Sequence, residues 1–234
     1  MEIVLQPLTI SVVFISLDSS LCKFRHSARA SYPSARRIHH ERMQAMVERE
    51  EIYTLRGFVQ ADDAYLGGEN PGGKAGRGSR NKVPFVAAVS VDAQGHPVYA
   101  RFTAILGFAS TAIEDWARST LDTECQVLTD GLPGFNGIAD AGRSHAVIVA
   151  GGRKLRDLPQ FRWVNTVLGN LKTGLSGAYH AFKFRKYAQR YLSTMTYRFN
   201  RRFNLATLPM GLLRAAVNTG PRPERWLRTA ESSY

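Results

Sequence analysis

The chain has 234 residues, 44% of them apolar and 21% charged, which suits one folded domain and excludes global disorder. Thirty-one Lys and Arg against nineteen Asp and Glu leave a formal charge of +12, so the expected partner is a polyanion. Two cysteines, Cys22 and Cys125, exclude a disulfide framework and a four-cysteine zinc site, and fit a reducing cytoplasm.

Residues 1–33 show no clear pattern. The apolar run at 3–17 imitates a signal peptide, but Glu2 stands where a basic lead is needed and Pro7 interrupts it. It is also too short to span a bilayer, so no membrane association is expected and the chain reads as cytoplasmic. The spacing of Ile38, Met43, Met46 and Val47 among charged residues predicts a helix over 34–51. Residues 58–66 read as a strand, followed by a loop with Gly67, Gly68, Gly72, Gly73, Gly76 and Gly78. Strands at 83–91 and 97–106 are joined by a hairpin signal at 92–95. Ser110 is expected to cap a helix to about 121, and a strand at 125–129 ends at Asp130-Gly131. A short helix and a strand at 145–150 follow. From 164 the pattern is helical to about 205, broken near 174–177. This order predicts an α/β fold, a mixed sheet with helices on its faces.

The charge is uneven. Residues 161–223 contain no acid and eleven Lys and Arg residues, nearly the whole net charge. A solvated face normally mixes signs, so this half is the expected polyanion surface.

Four residues carry candidate chemistry. Asp62 lies inside an otherwise apolar strand, where an acid needs a partner or a metal. Asp130 stands where a buried strand runs out, the usual place for site residues in an α/β sheet, although Asp before Gly is also a turn pattern. Asn165 and Lys172 are seven apart and share a helix face, opposite the apolar stripe of Val164, Val167, Leu168, Leu171 and Leu175. Carboxylate and amide oxygens suit Mg²⁺ or Mn²⁺. Two such ions can activate an attacking oxygen and stabilise a leaving one. Asp62 would bridge both ions, Asp130 and Asn165 would each hold one, and Lys172 would neutralise a phosphate.

The chain resembles the ribonuclease H-like DDE transposases of bacterial insertion sequences, in the ISXO2-like group with a D-D-E/N-K signature. The residues that carry the resemblance are Val59 through Gly68, Gly76-Arg77-Gly78 with Asn81-Lys82, Thr129-Asp130-Gly131, Asn165 through Lys172, Gly177-Ala178-Tyr179-His180, and Tyr197 through Arg202. Asn165 follows Asp130 by 35 positions, similar to the family's spacing. The resemblance implies metal-dependent strand cleavage and strand transfer of an insertion sequence, with element ends and target DNA as partners and at least a dimer on DNA. It implies nucleoid association when bound. It divides the chain into an unassigned 1–33, a helical lead-in at 34–56, a ribonuclease H-like catalytic domain at 57–204 and a helical tail at 205–234.

Two departures stand out. The third ligand is Asn165 where many relatives have Glu, with Asn170 as a competing candidate. Residues 1–33 do not resemble the zinc ribbon and helix-turn-helix with which full-length relatives open, so a truncated reading frame is expected. The alternatives are therefore an inactive remnant that only binds DNA, and a structure-selective nuclease of the same fold.

The remaining motifs are lesser signals. Gly68 through Ala75 nearly spells a phosphate-binding loop, but Ala75 replaces the hydroxyl that holds Mg²⁺, so no nucleotide is expected. Lys74, Arg77, Arg80 and Lys82 in this loop are expected to meet DNA phosphates. Lys183, Arg185, Lys186, Arg190, Arg198, Arg201 and Arg202, set among core-spaced aromatics, are expected to do the same. His39 and His40 read as surface histidines, and no histidine pair has metal spacing with a cysteine.

Overall fold

The computed structural model describes Arg25 and residues 29–67, 82–149, 151, 158–178 and 184–229. A long helix, α1 (Tyr32–Glu51), opens where Ser31 Oγ accepts from the Ser34 N–H and Pro33 sits in the first turn. It is followed by β1 (Phe58–Leu66), β2 (Val83–Val91) and β3 (Pro97–Ala104). These pair antiparallel, β1 with β2 from Phe58 opposite Val91 to Leu66 opposite Val83. The β2–β3 turn is closed by the Asp92 carboxylate, which accepts from the N–H groups of Gln94 at 3.0 Å and His96 at 2.7 Å. After α2 (Ser110–Thr120), β4 (Gln126–Thr129) pairs parallel with β1. A 3₁₀ turn and α3 (Gly137–Asp140) lead to β5 (Ser144–Val147), parallel to β4. The sheet order is β3-β2-β1-β4-β5. The helices α4 (Arg162–Ala178), α5 (Phe184–Asn200), α6 (Leu208–Asn218) and α7 (Glu224–Arg228) complete the fold.

The α/β class expected from the sequence is the class observed: a mixed five-stranded sheet with helices on both faces. Side chains alternate along β1. Ala64 and Leu66 face the core formed with α4 and α5, whereas Val59 and Ala61 face Ile113 and Trp116 of α2. Asp62 falls in the first set. Its side of the sheet carries the Val164–Val167–Leu168–Leu171–Leu175 stripe of α4, all buried as the periodicity predicts.

The open edge of β3 is covered by side chains of α5 rather than by a strand. Asn200 Oδ1 accepts from the Ala100 N–H at 2.8 Å, Thr196 Oγ1 from Phe102 at 3.3 Å, and Gln189 Oε1 from Ala104 at 2.9 Å. The alternate N–H groups of an edge strand are thereby satisfied without a ladder.

Several boundaries differ from the sequence reading. The third strand stops at Ala104, Ala109 rather than Ser110 stands at the cap of α2 with no side-chain cap bond, β5 spans Ser144–Val147, and α4 continues through Gly174 and Gly177 instead of breaking there. At Gly174 a Cβ would lie 2.5 Å from Met195 Cε, so this glycine serves close helix packing. His39 and His40 are buried, not on the surface: α1 is overlaid by α5, and His40 lies 4.4 Å, centroid to centroid, from the Tyr187 ring. Among the described residues no helix is long and apolar enough to cross a membrane.

Candidate metal centre

The parallel register sets Gln60 beside Leu128; two residues further along each chain, Asp62 stands beside Asp130. Gly131, with φ +94°, lets the chain turn away immediately after that acid. A Cβ there would meet Val147 and Val149 side-chain atoms at 3.1–3.2 Å, so the turn also packs on β5 and its continuation. The Asp130 carboxylate accepts from the Leu132 N–H at 3.2 Å, and Asp62 Oδ1 accepts from the Asp63 N–H at 2.8 Å. Oxygens of Asp62, Asp63 and Asp130 all lie within 4.8 Å of one another. Three half-buried carboxylates in this space are a hard oxygen donor set of the kind that Mg²⁺ or Mn²⁺ prefers, so the residues present fit such an ion.

The electrostatics agree with the geometry. The Asp62 carboxyl is pushed up to about 7 by burial and by the charges of Asp130 and Asp63, while the Asp63 N–H and Lys172 oppose the shift. A carboxyl so perturbed has like charges to share and only partial relief from a single lysine. Lys172 thus stands close enough to Asp62 to be felt, although its own side chain is exposed.

Asn165 lies in the first turn of α4, half-buried, and its Nδ2 donates to the Phe161 carbonyl at 2.9 Å. That bond leaves Oδ1 with no hydrogen bond among the described residues. Asn170 is exposed and about 140° further round the helix, away from the side of Asn165 and Lys172.

The basic residues expected at DNA divide sharply. Arg190 is 1% exposed. Its Nε donates to Gln44 Oε1 at 3.1 Å and its Nη1 to the Leu227 carbonyl at 2.9 Å, with the guanidinium between the Tyr187 and Trp226 rings. Arg201 pairs with buried Glu50 at 2.6 Å and lies 3.7 Å from the Tyr197 centroid. Arg202 donates to the carbonyls of Pro97, Val98 and Phe199. Buried Arg190 is bonded inside the packed chain, which corrects the expectation that it binds phosphate, whereas Arg201 and Arg202 are partly exposed. Lys82, Lys186 and Arg198 are half-buried, with Lys186 Nζ 5.4 Å from the Tyr187 centroid. Lys74, Arg77, Arg80, Lys183 and the Arg185 side chain lie outside the described residues, as do the phosphate-loop look-alike and residues 1–24.

The sequence reading quotes Asp63 and Gln60 within the Val59–Gly68 motif but assigns neither a role. Asp63 joins the acid cluster, although strand alternation would send it to the other face. Gln60 is a polar residue at a core-facing strand position, and its i−2 spacing from Asp62 was the available signal.

The sheet and the acid cluster define an α/β domain with a candidate divalent-metal centre at the β1–β4 seam. Residues 54–200 match the ISXO2-like transposase domain, and the chain belongs to that family of transposase domains. No curated protein matches the sequence. Among solved structures the chain is similar to one described as "Crystal structure of the Mos1 Strand Transfer Complex", at 12% identity, covering 96% of this chain and 82% of that one, with a TM-score of 0.29. It is similar also to "Crystal structure of a pre-cleavage Mos1 transpososome", at 9% identity over 92% and 79% of the two chains, TM-score 0.22. A third is "Crystal structure of the Mos1 mariner paired end complex with Mn", at 8% identity over 89% and 77%, TM-score 0.24.

Proposed function

We propose that the chain is a transposase that cuts DNA and transfers the cut strand in a divalent-metal-dependent reaction. The observation that supports this most is the adjacency of Asp62 and Asp130, with Asp63 within 4.8 Å and the field of Lys172 on Asp62. Asp62, Asp130 and the Asn165 carbonyl oxygen are the proposed metal ligands, with Asp63 in reach as a further oxygen donor. Two Mg²⁺ or Mn²⁺ ions held there would sharpen the attacking oxygen and stabilise the leaving one. Lys172 would neutralise a phosphate oxygen of the strand being cut. In the first step water attacks phosphorus, loses its proton, and the bond to the 3′ oxygen breaks to leave a 3′-OH. In the second that 3′-OH attacks a target phosphodiester, whose own 3′ oxygen departs. No covalent protein–DNA intermediate is formed.

The partner in this reading is DNA, at element ends and at the target, met by the basic half of the chain. At least a dimer is proposed on that DNA. Residues 57–204 are the proposed catalytic domain, flanked by the helical lead-in at 34–56 and the tail at 205–234. A second reading, DNA binding without cleavage, is favoured by one feature: Asn165 is a neutral amide and binds Mg²⁺ more weakly than a carboxylate.

The test is nicking of a supercoiled plasmid with Mg²⁺ or Mn²⁺, comparing wild type with Asp62→Asn and Asp130→Asn. Metal-dependent nicking lost in both variants supports the proposal. DNA binding with no cleavage by wild type would sink it in favour of the second reading. Hydrolysis without strand transfer would point to a nuclease of the same fold.

A further inference from the structure

The first turn of α4 is tied to the sheet by a side chain to which the metal-centre reading gives no role. Gln60 lies on β1 two residues before Asp62, on the same side of the strand, and is 4% exposed. Its Oε1 accepts from the backbone N–H groups of Trp163 and Val164, at 3.1 Å each. These belong to the N–H groups that every helix start leaves without an intrahelical partner. A strand side chain therefore caps this helix across the tertiary fold. The Trp163 indole adds a second tether by donating to the Gly95 carbonyl in the β2–β3 turn. Asn165 is the next residue after this doubly held pair.

We propose that Gln60 is a positioning residue: it docks the first turn of α4 on β1 and so fixes where the Asn165 amide stands relative to Asp62 and Asp130. The inference rests on the metal-centre reading above and assigns part of that centre's geometry to Gln60. An amide ligand attracts a divalent ion less than a carboxylate does, so its contribution depends more on being held in place beforehand. The choice of Gln also fits the local charge. A Glu would satisfy the same two N–H groups and favour the helix dipole, but it would set a fourth negative group beside Asp62, Asp63 and Asp130. The neutral amide caps the helix without adding to that repulsion.

The experiment measures Mn²⁺ binding by calorimetric titration of the full chain for wild type, Gln60→Met, Asn165→Ala and the double variant. Partners that orient a metal ligand typically change affinity by about 10–100-fold. Gln60→Met is expected to weaken Mn²⁺ binding by about tenfold, and the double variant to bind no worse than Asn165→Ala alone. Amide hydrogen exchange at Trp163 and Val164 should quicken in Gln60→Met and slow again in Gln60→Glu, which keeps the acceptor. Affinity for a DNA duplex in EDTA should not change. An unchanged Mn²⁺ affinity in Gln60→Met, or the same loss with and without Asn165, overturns the proposal. If Gln60→Met does not fold, Gln60→Asn, one methylene short of the two N–H groups, is read in the same way. Absence of Mn²⁺ binding by wild type overturns the metal-centre reading itself, and this inference with it.

Discussion

Asp62→Asn should make the metal-free protein more stable while removing its metal response. The folded chain holds the Asp62 carboxyl at about 7 against 3.8 in a free chain, with burial the largest cause and the charges of Asp130 and Asp63 next. A raised carboxyl makes ionisation oppose folding. The cost is absent below about pH 4, grows as pH rises through the window between 3.8 and about 7, and is complete above it. At about 1.4 kcal/mol per pH unit, a shift of this size sets a ceiling of roughly 4 kcal/mol. Water access and relaxation lower it, and an amide oxygen accepts from the Asp63 N–H less strongly, so a gain of about 2 kcal/mol is expected. For a chain of this length that is a rise of about 4–8 °C in Tm. The assay is thermal and urea unfolding of both proteins in EDTA from pH 5 to 8, repeated with Mg²⁺. The advantage of Asp62→Asn should widen up to about pH 7 and then level off. Mg²⁺ should raise the Tm of wild type and leave the variant unmoved. A variant no more stable than wild type at pH 8 in EDTA would refute the reasoning, as would an advantage independent of pH.

The buried histidines give the opposite dependence. His39 is lowered to about 4 by burial and then Arg42, and His40 to about 3 by burial and then His39, Arg190, Arg36 and Lys186. Both stay neutral in the folded chain and protonate near 6.5 when it unfolds, so their contribution is intact above pH 6.5 and falls below it by about 1.4 kcal/mol per pH unit each. His40→Phe should flatten the loss of Tm between pH 6.5 and 5 by about half. Arg190→Met should destabilise by about 2–4 kcal/mol in urea titration, because it strands Gln44 and the Leu227 carbonyl. The same variant, kept folded at low temperature, should bind duplex DNA with an unchanged salt slope, in contrast to a phosphate-contacting arginine. Gly131→Ala should cost about 1–2 kcal/mol from its φ of +94° and should also weaken Mn²⁺ binding by displacing Asp130, read by titration.

Much of this protein is written locally. The apolar runs at 58–66 and 83–91, the Asp92–Gly95 hairpin and the 3.6-residue stripe of α4 each depend on a few neighbouring residues, and each appears where the sequence puts it. Asp62, Asp130 and the Asn165–Lys172 face were legible for the same reason: an acid in an apolar strand and polar groups on one helix face are visible before any folding. Their adjacency was not, because the offset between β1 and β4 is fixed by parallel pairing across more than sixty residues. Only that register sets Asp62 beside Asp130, and only the packing of α4 on the sheet brings its first turn to Gln60. The basic half shows the complement of this. Sequence alone makes Arg190, Arg201 and Arg202 interchangeable with any surface base, since charge is a property of the residue. Burial against Gln44 and the Leu227 carbonyl makes Arg190 a structural cation, while partly exposed Arg201 and Arg202 meet Glu50 and the carbonyls of β3, and burial is a property of the packed chain.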